Sequence, residues 1–532
     1  MSTPLLMLRD LRVSIAGAAT PLLGPLDLDL GAGECLAIVG ESGAGKSLTT
    51  LALLGLLPTQ LRASGSLHVD GRAIALGSRE HIALRGRTFG WVPQDALAAL
   101  HPLRSIGAQL RETLRHAGIA RDATRAEALA LLDRVELPAA DALLARHPHE
   151  LSGGQRQRVC IALALATKPR CLLADEPTSA LDPRVGRGIL DLLDALRRDL
   201  GLALLLVSHD LPLVATLAQR VLVLHRGRCV ETGATAHVFS APSAPYTRAL
   251  LAAEHLDAAA PAQTGDVLLS ADDLAVRYPR ATRDALAPTT IALHRGECLA
   301  LVGESGSGKS TLARAVLRLL RTPTRGRIVL DGVDIGALGP RALRPLRRRI
   351  GVVFQDPFAS LDPRQTAAQI IAEPLRIHGI GDSAQRRQRA GELMQTVGLD
   401  PSALVPGSMD PAVMDRYPHQ FSGGQCQRIA IARALSTDPE LLVCDEAVSA
   451  LDARSRAAIL RLLAQLKRER GLALLFITHD LDAARALADR IAVMQDGAIV
   501  ETGAAGDVLS APQHAYTRAL LAARPAALGA AV

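Results

Sequence analysis

The sequence predicts an α/β fold built from two tandem copies of one domain, each with a parallel-sheet core. The glycine-rich segment GESGAGKS at Gly40–Ser47 recurs as GESGSGKS at Gly303–Ser310. Each copy follows a short unbroken apolar run, which is typical of a central strand covered on both faces of a parallel sheet. Later motifs also recur in register, for example Glu176 and Glu446, which are 270 residues apart. A segment that returns together with its neighbours indicates a duplicated domain.

The length of the chain also predicts more than one domain, because 532 residues exceed what a single core organises. We place one domain at residues 1–255, a short Ala- and Pro-rich linker at 256–266, and a second domain at 267–532. Each domain opens with a β-rich segment, which we assign to an antiparallel β subdomain. Apolar residues at helical spacing then predict a helical subdomain, roughly over Ala96–Lys168 and Pro357–Asp438.

Composition narrows the class of protein. The net charge is +7, which fits either a general preference for arginine or an anionic partner such as nucleic acid or a lipid surface. No apolar run approaches the ~18 residues of a membrane-spanning helix, and we expect no signal peptide at the N-terminus. The seven cysteines are scattered without a C-x-x-C pair. We therefore expect reduced thiols in a cytosolic protein rather than a cysteine metal site.

The two glycine-rich segments fit G-x-x-x-x-G-K-[ST], the phosphate-binding P-loop. Glycines let the backbone curl so that its N–H groups face a phosphate at the start of a helix. Lys46 and Lys309 can then reach the β- and γ-phosphates, and the hydroxyls of Ser47 and Ser310 can take Mg²⁺. The 60 basic residues include only four lysines, and two of the four stand in these loops. A compact ammonium on a flexible stem suits this position better than a planar guanidinium.

An acidic pair ends a buried strand in each copy, Asp175-Glu176 in the first and Asp445-Glu446 in the second. The aspartate can hold Mg²⁺, directly or through water. The glutamate beside it is placed to activate an attacking water as a general base.

A histidine follows the next strand of each copy, His209 and His479. Each can contact the γ-phosphate and position the attacking water. Gln94 and Gln355 lie between the P-loop and the helical region of their copies. A glutamine amide there can touch Mg²⁺ or the water and report loss of the γ-phosphate to the helices that follow.

The segments LSGGQ at Leu151–Gln155 and FSGGQ at Phe421–Gln425 each open a helix. A serine hydroxyl, two glycine backbones and a helix N-terminus can grip a second phosphate. Taken alone, S-G-G-Q is equally an N-terminal helix cap. Its place downstream of a P-loop and just before an acidic strand favours the phosphate grip.

Together these motifs resemble an ATP-binding-cassette (ABC) ATPase with two P-loop cassettes fused in one chain. The resemblance spans nearly all residues, including the SALD loops at Ser179–Asp182 and Ser449–Asp452. In this family two cassettes pack head to tail. The resemblance therefore implies that the P-loop of Lys46 shares its ATP with Ser422–Gln425, and that of Lys309 with Ser152–Gln155.

The resemblance also implies roles for individual residues, with ATP and Mg²⁺ as cofactors. The catalytic residues would be Glu176, His209, Glu446 and His479. The Mg²⁺ ligands would be Ser47, Gln94, Asp175, Ser310, Gln355 and Asp445. The ATP-binding residues would be Gly40, Ser42, Gly43, Gly45, Lys46, Ser47, Leu48, Gln94, Ser152, Gly153, Gly154, Gln155, Tyr278, Gly303, Ser305, Gly306, Gly308, Lys309, Ser310, Thr311, Gln355, Ser422, Gly423, Gly424 and Gln425.

Tyr278 stands at the aromatic position that the family uses to stack on adenine. Ile15 takes the equivalent position in the first copy. We expect adenine packing there to be weaker or supplied differently.

A narrower resemblance is carried by QDALAALHP, QDPFASLDP and the repeated tail, APSAPYTRALL at Ala241–Leu251 and APQHAYTRALL at Ala511–Leu521. These are similar to the ATPase subunits of dipeptide and oligopeptide importers. The resemblance implies two membrane permease subunits and a periplasmic or lipid-anchored substrate-binding protein as partners, with no nucleic acid. It also implies a peripheral position at the cytoplasmic face of a bacterial inner membrane.

Other functions stay open at this stage. A ribosome-associated double-cassette translation factor would suit the basic charge, but such factors carry a long charged helical linker, and this linker is short. A fused importer ATPase for another solute, such as nickel or glutathione, shares the same motifs. A fused sugar-importer ATPase usually has one degenerate cassette, whereas both sets of motifs are intact here.

Overall fold

The computed structural model describes residues 4–17, 20–179, 181–259, 265–279, 281–320, 322, 324–399, 413–449 and 451–522. Part of the predicted linker, residues 260–264, lies outside the described residues, and so do Ala180 and Ala450 of the SALD loops. The described residues divide into two compact units, one reaching Glu254 and the other beginning at His255. Each unit is described by itself.

The first unit has a mixed sheet in which the apolar runs form the central strands. Its strands lie in the order Arg228–Ala234, Arg220–His225, Cys35–Val39, Ala203–Ser208, Cys171–Asp175 and Phe89–Val92. All neighbours in this sheet are parallel except the edge pair of Arg228–Ala234 with Arg220–His225. A separate antiparallel sheet has the order Leu23–Leu30, Leu6–Ile15, Leu61–Val69 and Arg72–Ile74. The predicted parallel core and antiparallel subdomain are both confirmed.

Side-chain alternation explains how this sheet is covered on both faces. Cys35, Ala37 and Val39 point into one apolar cluster with the helical region, and Leu36 and Ile38 point into another with the antiparallel sheet. The helices of the unit are Lys46–Leu54, Arg79–Ala83, Ala96–Ala99, Ile106–His116, Thr124–Arg134, Ala140–Leu143, Gly153–Leu165, Pro183–Leu200, Leu211–Leu217, Thr235–Ser240 and Pro245–Ala252, with a 3-10 turn at Pro148–Glu150.

The second unit repeats this architecture. Its mixed sheet has the order Ile350–Val353, Leu441–Asp445, Ala473–Thr478, Cys298–Val302, Arg490–Gln495 and Ala498–Ala504, and its antiparallel sheet has the order Leu286–His294, Val267–Val276, Thr324–Leu330 and Val333–Asp334. Its helices are Lys309–Val316, Pro340–Arg347, Pro357–Ser360, Ala367–Ile377, Ser383–Thr396, Gly423–Leu435, Ala453–Arg470, Leu481–Leu487, Ala505–Ser510 and Ala515–Ala522, with a 3-10 turn at Pro418–Gln420. Among the described residues, no helix has the length and apolarity needed to cross a bilayer.

The parallel strands place the predicted site residues at one edge of each sheet. In the first unit, Cys35–Val39 ends at the P-loop, the adjacent parallel strand ends at Ser208, and the strand beyond that one ends at Asp175. Because parallel strands end on the same side, motifs more than a hundred residues apart in sequence converge there.

Candidate functional site

The P-loop of each unit connects a buried strand to a helix, Lys46–Leu54 in the first unit and Lys309–Val316 in the second. Only glycine fits the first position of this loop. Gly40 has a φ of 151°, and a Cβ added there would lie 2.2 Å from the carbonyl oxygen of Leu224. Gly303 has a φ of 156° and would meet the carbonyl oxygen of Met494 at 2.3 Å. The loop therefore packs against a neighbouring strand without room for a side chain.

The other P-loop residues follow the expected strand, loop and helix. Ser42, Gly43, Ser305 and Gly306 are exposed at the tips of the two loops. Gly45 and Gly308 stand directly before the helices. The half-buried side chains of the first helical turns are Ser47, Leu48, Ser310 and Thr311.

The P-loop lysines are buried and hold their own loops. The ammonium of Lys46 donates to the carbonyl oxygens of Gly40 at 2.8 Å and Glu41 at 3.0 Å. Lys309 donates to the carbonyls of Gly303 and Glu304, both at 2.8 Å. Each charge is therefore kept beside the loop on weak neutral acceptors, which a phosphate can replace.

A hydroxyl and a carboxylate meet beside each lysine. Ser47 Oγ donates to Asp175 Oδ1 at 3.1 Å, and Ser310 Oγ donates to Asp445 Oδ1 at 3.0 Å. Burial raises the pKa of both aspartates above its ordinary value, although the serine hydrogen bond opposes this.

This pair of oxygen donors fits Mg²⁺, which is commonly held by one or two carboxylates together with phosphate oxygens and water. Among the described residues, no group of three or more His, Cys, Asp or Glu side chains is arranged to hold a metal. A bound nucleotide would supply the remaining oxygens.

Glu176 is the centre of a polar group in the first unit. Its carboxylate accepts from Gln94 Nε2 at 3.0 Å and lies 3.2 Å from His209 Nδ1 and 3.6 Å from Lys46 Nζ. Burial raises the pKa of Glu176, but the hydrogen bond and charge of His209, with Lys46, outweigh burial and lower the pKa overall. Burial lowers the pKa of His209, but the contact with Glu176 raises it overall. The pair therefore favours carboxylate and imidazolium.

The second unit repeats this group around Glu446. Gln355 Nε2 donates to the carboxylate at 2.8 Å, and His479 Nδ1 lies 3.6 Å from it. Burial raises the pKa of Glu446, but His479 and Lys309 outweigh burial and lower the pKa overall. The fold thus brings the predicted glutamine, glutamate, histidine and lysine of each unit together.

The glutamates have a backbone feature that sequence analysis missed. Glu176 has a φ of 45° and Glu446 a φ of 49°, the left-handed region that side chains other than glycine seldom adopt. Ser179 Oγ donates to the carbonyl oxygen of Glu176 at 3.1 Å, and Ser449 Oγ donates to that of Glu446 at 3.0 Å. The serine of each SALD loop therefore stabilises a strained turn, and its repetition is the only sequence signal of that role.

The signature segments form helix caps by their own contacts. Ser152 Oγ accepts from the backbone N–H of Gln155 at 3.3 Å, and Gln155 Oε1 accepts from the N–H of Ser152 at 3.0 Å. Ser422 and Gln425 make the same pair of bonds at 3.4 Å and 2.9 Å. Both serines are exposed at the helix starts.

The signature glycines are needed for packing. A Cβ at Gly154 would lie 2.5 Å from Val185 Cγ1, and one at Gly424 would lie 2.9 Å from Ser455 Oγ. Gly153 and Gly423 are half-buried beside them. Each signature helix therefore starts in close contact with the helix that follows the acidic strand.

The two positions compared for adenine stacking are both accessible. Tyr278 is 37% exposed just beyond the strand Val267–Val276, and Ile15 is 47% exposed at the end of Leu6–Ile15. The expectation that adenine packs more weakly, or against other groups, in the first unit stays a prediction.

Two family models match this chain. The model described as "ABC transporter" matches residues 23–179 and 286–449. The model described as "Oligopeptide/dipeptide transporter, C-terminal region" matches residues 230–262 and 500–530. Each model therefore matches once in each half of the chain.

Curated relatives match along nearly the whole length. The chain is 42% identical to the glutathione import ATP-binding protein GsiA of Escherichia coli (strain K12), over 94% of this chain and 86% of that protein. GsiA proteins of Shigella sonnei and Salmonella typhimurium match with the same identity and coverage. A solved dimer of the ATP-binding cassette MJ0796 bound to ADP and phosphate is 29% identical and covers 45% of this chain and 99% of that chain, with a TM-score of 0.40.

Proposed function

The chain belongs to the ABC transporter ATPase family, and from that premise we propose that it drives the uptake of short peptides through separate membrane permeases. The family assignment makes it an ATP-binding importer ATPase with two cassettes. The tail region shared with oligopeptide and dipeptide transporters supports peptides as the substrate class. Glutathione, itself a tripeptide, is named for the curated relatives and is the first candidate to test.

The observation that carries the proposal is the same polar constellation in both units. A lysine, a glutamine, an acidic pair and a histidine meet at the P-loop of each. Two degenerate or unequal sites would not be expected to keep every one of these contacts. We therefore propose that both units hydrolyse ATP.

The proposed roles follow from the contacts. Lys46 would exchange its two carbonyl acceptors for phosphate oxygens. Ser47 and Asp175 would hold Mg²⁺. Gln94, whose amide donates to Glu176, would add its side-chain oxygen as a further ligand. When bound, the metal neutralises charge on the β- and γ-phosphates.

Glu176 is suited to accept the proton of the attacking water. Its lowered pKa keeps it ionised at neutral pH, which a general base requires. His209 holds that carboxylate from one side and would orient the water. In the second unit, Lys309, Ser310, Asp445, Glu446 and His479 would act alike.

Three finer points belong to the same proposal. We place the domain limits at residues 1–255 and 267–532, with the linker at 256–266. We propose two permease subunits and a substrate-binding protein as partners, and a peripheral position at the cytoplasmic face of a bacterial inner membrane. The family resemblance further predicts that Ser422→Ala impairs hydrolysis at the site of Lys46; a loss confined to the site of Lys309 would contradict it.

The test of the proposal is the double substitution Glu176→Gln with Glu446→Gln. We expect this variant to bind ATP while hydrolysis falls by at least about 100-fold, the typical contribution of a general base. Glu80→Gln, an exposed glutamate outside the site, is the matched control. Normal turnover in the double variant would remove the glutamates as bases.

A second experiment tests transport. The chain is reconstituted in vesicles with permease subunits and a substrate-binding protein, and ATPase activity is measured with glutathione and with di- and tripeptides. Stimulation by one of these substrates supports the proposal. Sedimentation with ribosomes instead of membranes would overturn it in favour of a translation factor.

A further inference from the structure

The tail region of each unit reaches back to the P-loop through one tyrosine. The hydroxyl of Tyr246 accepts a hydrogen bond from the backbone N–H of Glu41 at 3.2 Å, across 205 residues of sequence. In the second unit, the hydroxyl of Tyr516 accepts from the N–H of Glu304 at 3.0 Å. The same long-range contact thus occurs independently in both units.

The tyrosine and the P-loop lysine hold opposite sides of one peptide group. The N–H of Glu41 and the carbonyl of Gly40 belong to the same peptide bond, and in a trans peptide they point in opposite directions. The carbonyl accepts from Lys46 at 2.8 Å, while the N–H donates to Tyr246. The hydroxyl is therefore placed to hold the orientation in which this peptide, the first of the loop, presents its carbonyl to the lysine.

The tail helix that carries each tyrosine is anchored near its start. In the first unit, the Glu231 carboxylate accepts from the backbone N–H groups of Ser243 at 2.7 Å and Ala244 at 3.2 Å, just before the helix Pro245–Ala252. In the second unit, the Glu501 carboxylate accepts from the N–H groups just before the helix Ala515–Ala522, at 2.8 Å and 3.0 Å. The anchor fixes the tyrosine with respect to the mixed sheet, since both glutamates lie on its edge strands.

We propose that Tyr246 and Tyr516 are positioning residues for nucleotide binding, and that the tail region sets the P-loop conformation through their hydroxyls. This inference rests on the proposed role of the P-loops in binding phosphate. The tyrosines touch the loop backbone and act on the nucleotide through it. Losing the hydroxyl frees the peptide to rotate and weakens the preformed phosphate cradle.

The two units differ in a way that provides a matched control. The ring of Tyr246 stacks on His225, with centroids 3.9 Å apart and planes at 14°. Gln495 occupies the equivalent position in the second unit, where the Tyr516 contact still forms. Stacking is therefore not required for the hydrogen bond, and His225→Gln removes the stack while leaving the hydroxyl.

The experiment measures backbone hydrogen exchange of the full-length chain without nucleotide. We expect Tyr246→Phe to speed exchange of the Glu41 amide by about threefold to tenfold, as expected for loss of one hydrogen bond of ordinary strength. Peptides that cover Glu304 should be unaffected, and Tyr516→Phe should give the reverse pattern. His225→Gln should change exchange of the Glu41 amide less than twofold.

Binding of MgATP to the same proteins is the second measurement. We expect the variant with both Tyr→Phe substitutions to bind about threefold to tenfold more weakly. Unchanged exchange and affinity, or an equal effect of His225→Gln, would overturn the inference. The double substitution Lys46→Ala with Lys309→Ala tests the proposed function separately from the role of the tyrosines. If this variant binds MgATP normally, the P-loop assignment itself is wrong.

Discussion

Lys467 forms a buried ion pair in the second unit, and its removal offers a quantitative test of the packing. The side chain is only 6% exposed, and its ammonium lies 2.9 Å and 2.7 Å from the two carboxylate oxygens of Asp489. Asp489 also accepts from the backbone N–H of Cys298, the first residue of the strand that leads to the P-loop. We expect Lys467→Met to remove the cation that contacts both oxygens of this buried carboxylate.

The magnitude follows from this burial. Breaking a buried pair by removing one partner costs about 3–5 kcal/mol, because the remaining charge loses its compensation. For a unit of this size, that loss lowers the midpoint of thermal unfolding by about 10 °C. The assay is urea and thermal unfolding of the full chain, with the transition of the first unit as internal reference.

The first unit suggests how to rescue the variant. Gln219 takes the place of Asp489 there, and its Oε1 accepts from the N–H of Cys35 at 2.7 Å. We therefore expect Lys467→Met with Asp489→Gln to recover most of the lost stability, since a neutral pair replaces the stranded charge.

Lys168 provides the matched control, because its side chain is 73% exposed and lies 3.8 Å from its nearest carboxylate oxygen. Lys168→Met should cost no more than about 0.5 kcal/mol. A loss below about 1 kcal/mol for Lys467→Met, or no recovery in the double variant, would refute the reasoning.

Three further predictions concern the site. Gly40→Ala should destabilise the first unit by about 2–4 kcal/mol, because its Cβ would lie 2.2 Å from a carbonyl oxygen. Gly43 has open space around it, so Gly43→Ala should cost only about 1 kcal/mol. Equal losses of stability in thermal unfolding would contradict this prediction. The pKa of His209 is raised in the folded protein. Its pairing with Glu176 therefore stabilises the fold fully at pH values below the pKa of a histidine in the unfolded chain. This contribution is lost as the pH rises through the pKa of His209 in the folded protein. The stability difference between wild type and His209→Ala should therefore be larger at pH 5 than at pH 9, and a constant difference would refute the pairing. Chelation of Mg²⁺ should abolish ATP hydrolysis and be reversed by added Mg²⁺; hydrolysis that survives chelation would exclude the proposed metal role.

The sequence indicated the parallel core and the duplicated cassette because those features depend on local patterns. A P-loop needs only a strand, a glycine turn and a helix, and all three can be recognised within about twenty residues. The acidic pairs and histidines follow apolar runs, and parallel strands must end on one side. Hence the residues predicted for each unit, such as Gln94, Glu176 and His209, are found together.

The tertiary structure alone decided which distant groups meet and in what geometry. The left-handed backbone of Glu176 depends on the turn that packs beside the next strand, and its amide donates to Val207, 31 residues later. Nothing near Lys467 in the sequence points to Asp489, and nothing near Tyr246 points to Glu41. These contacts form only because the sheet order brings separate segments side by side, and burial then determines their strength and the pKa of the groups involved. A sequence pattern predicts which side chains are buried, but only the packed fold determines which groups from other segments they contact.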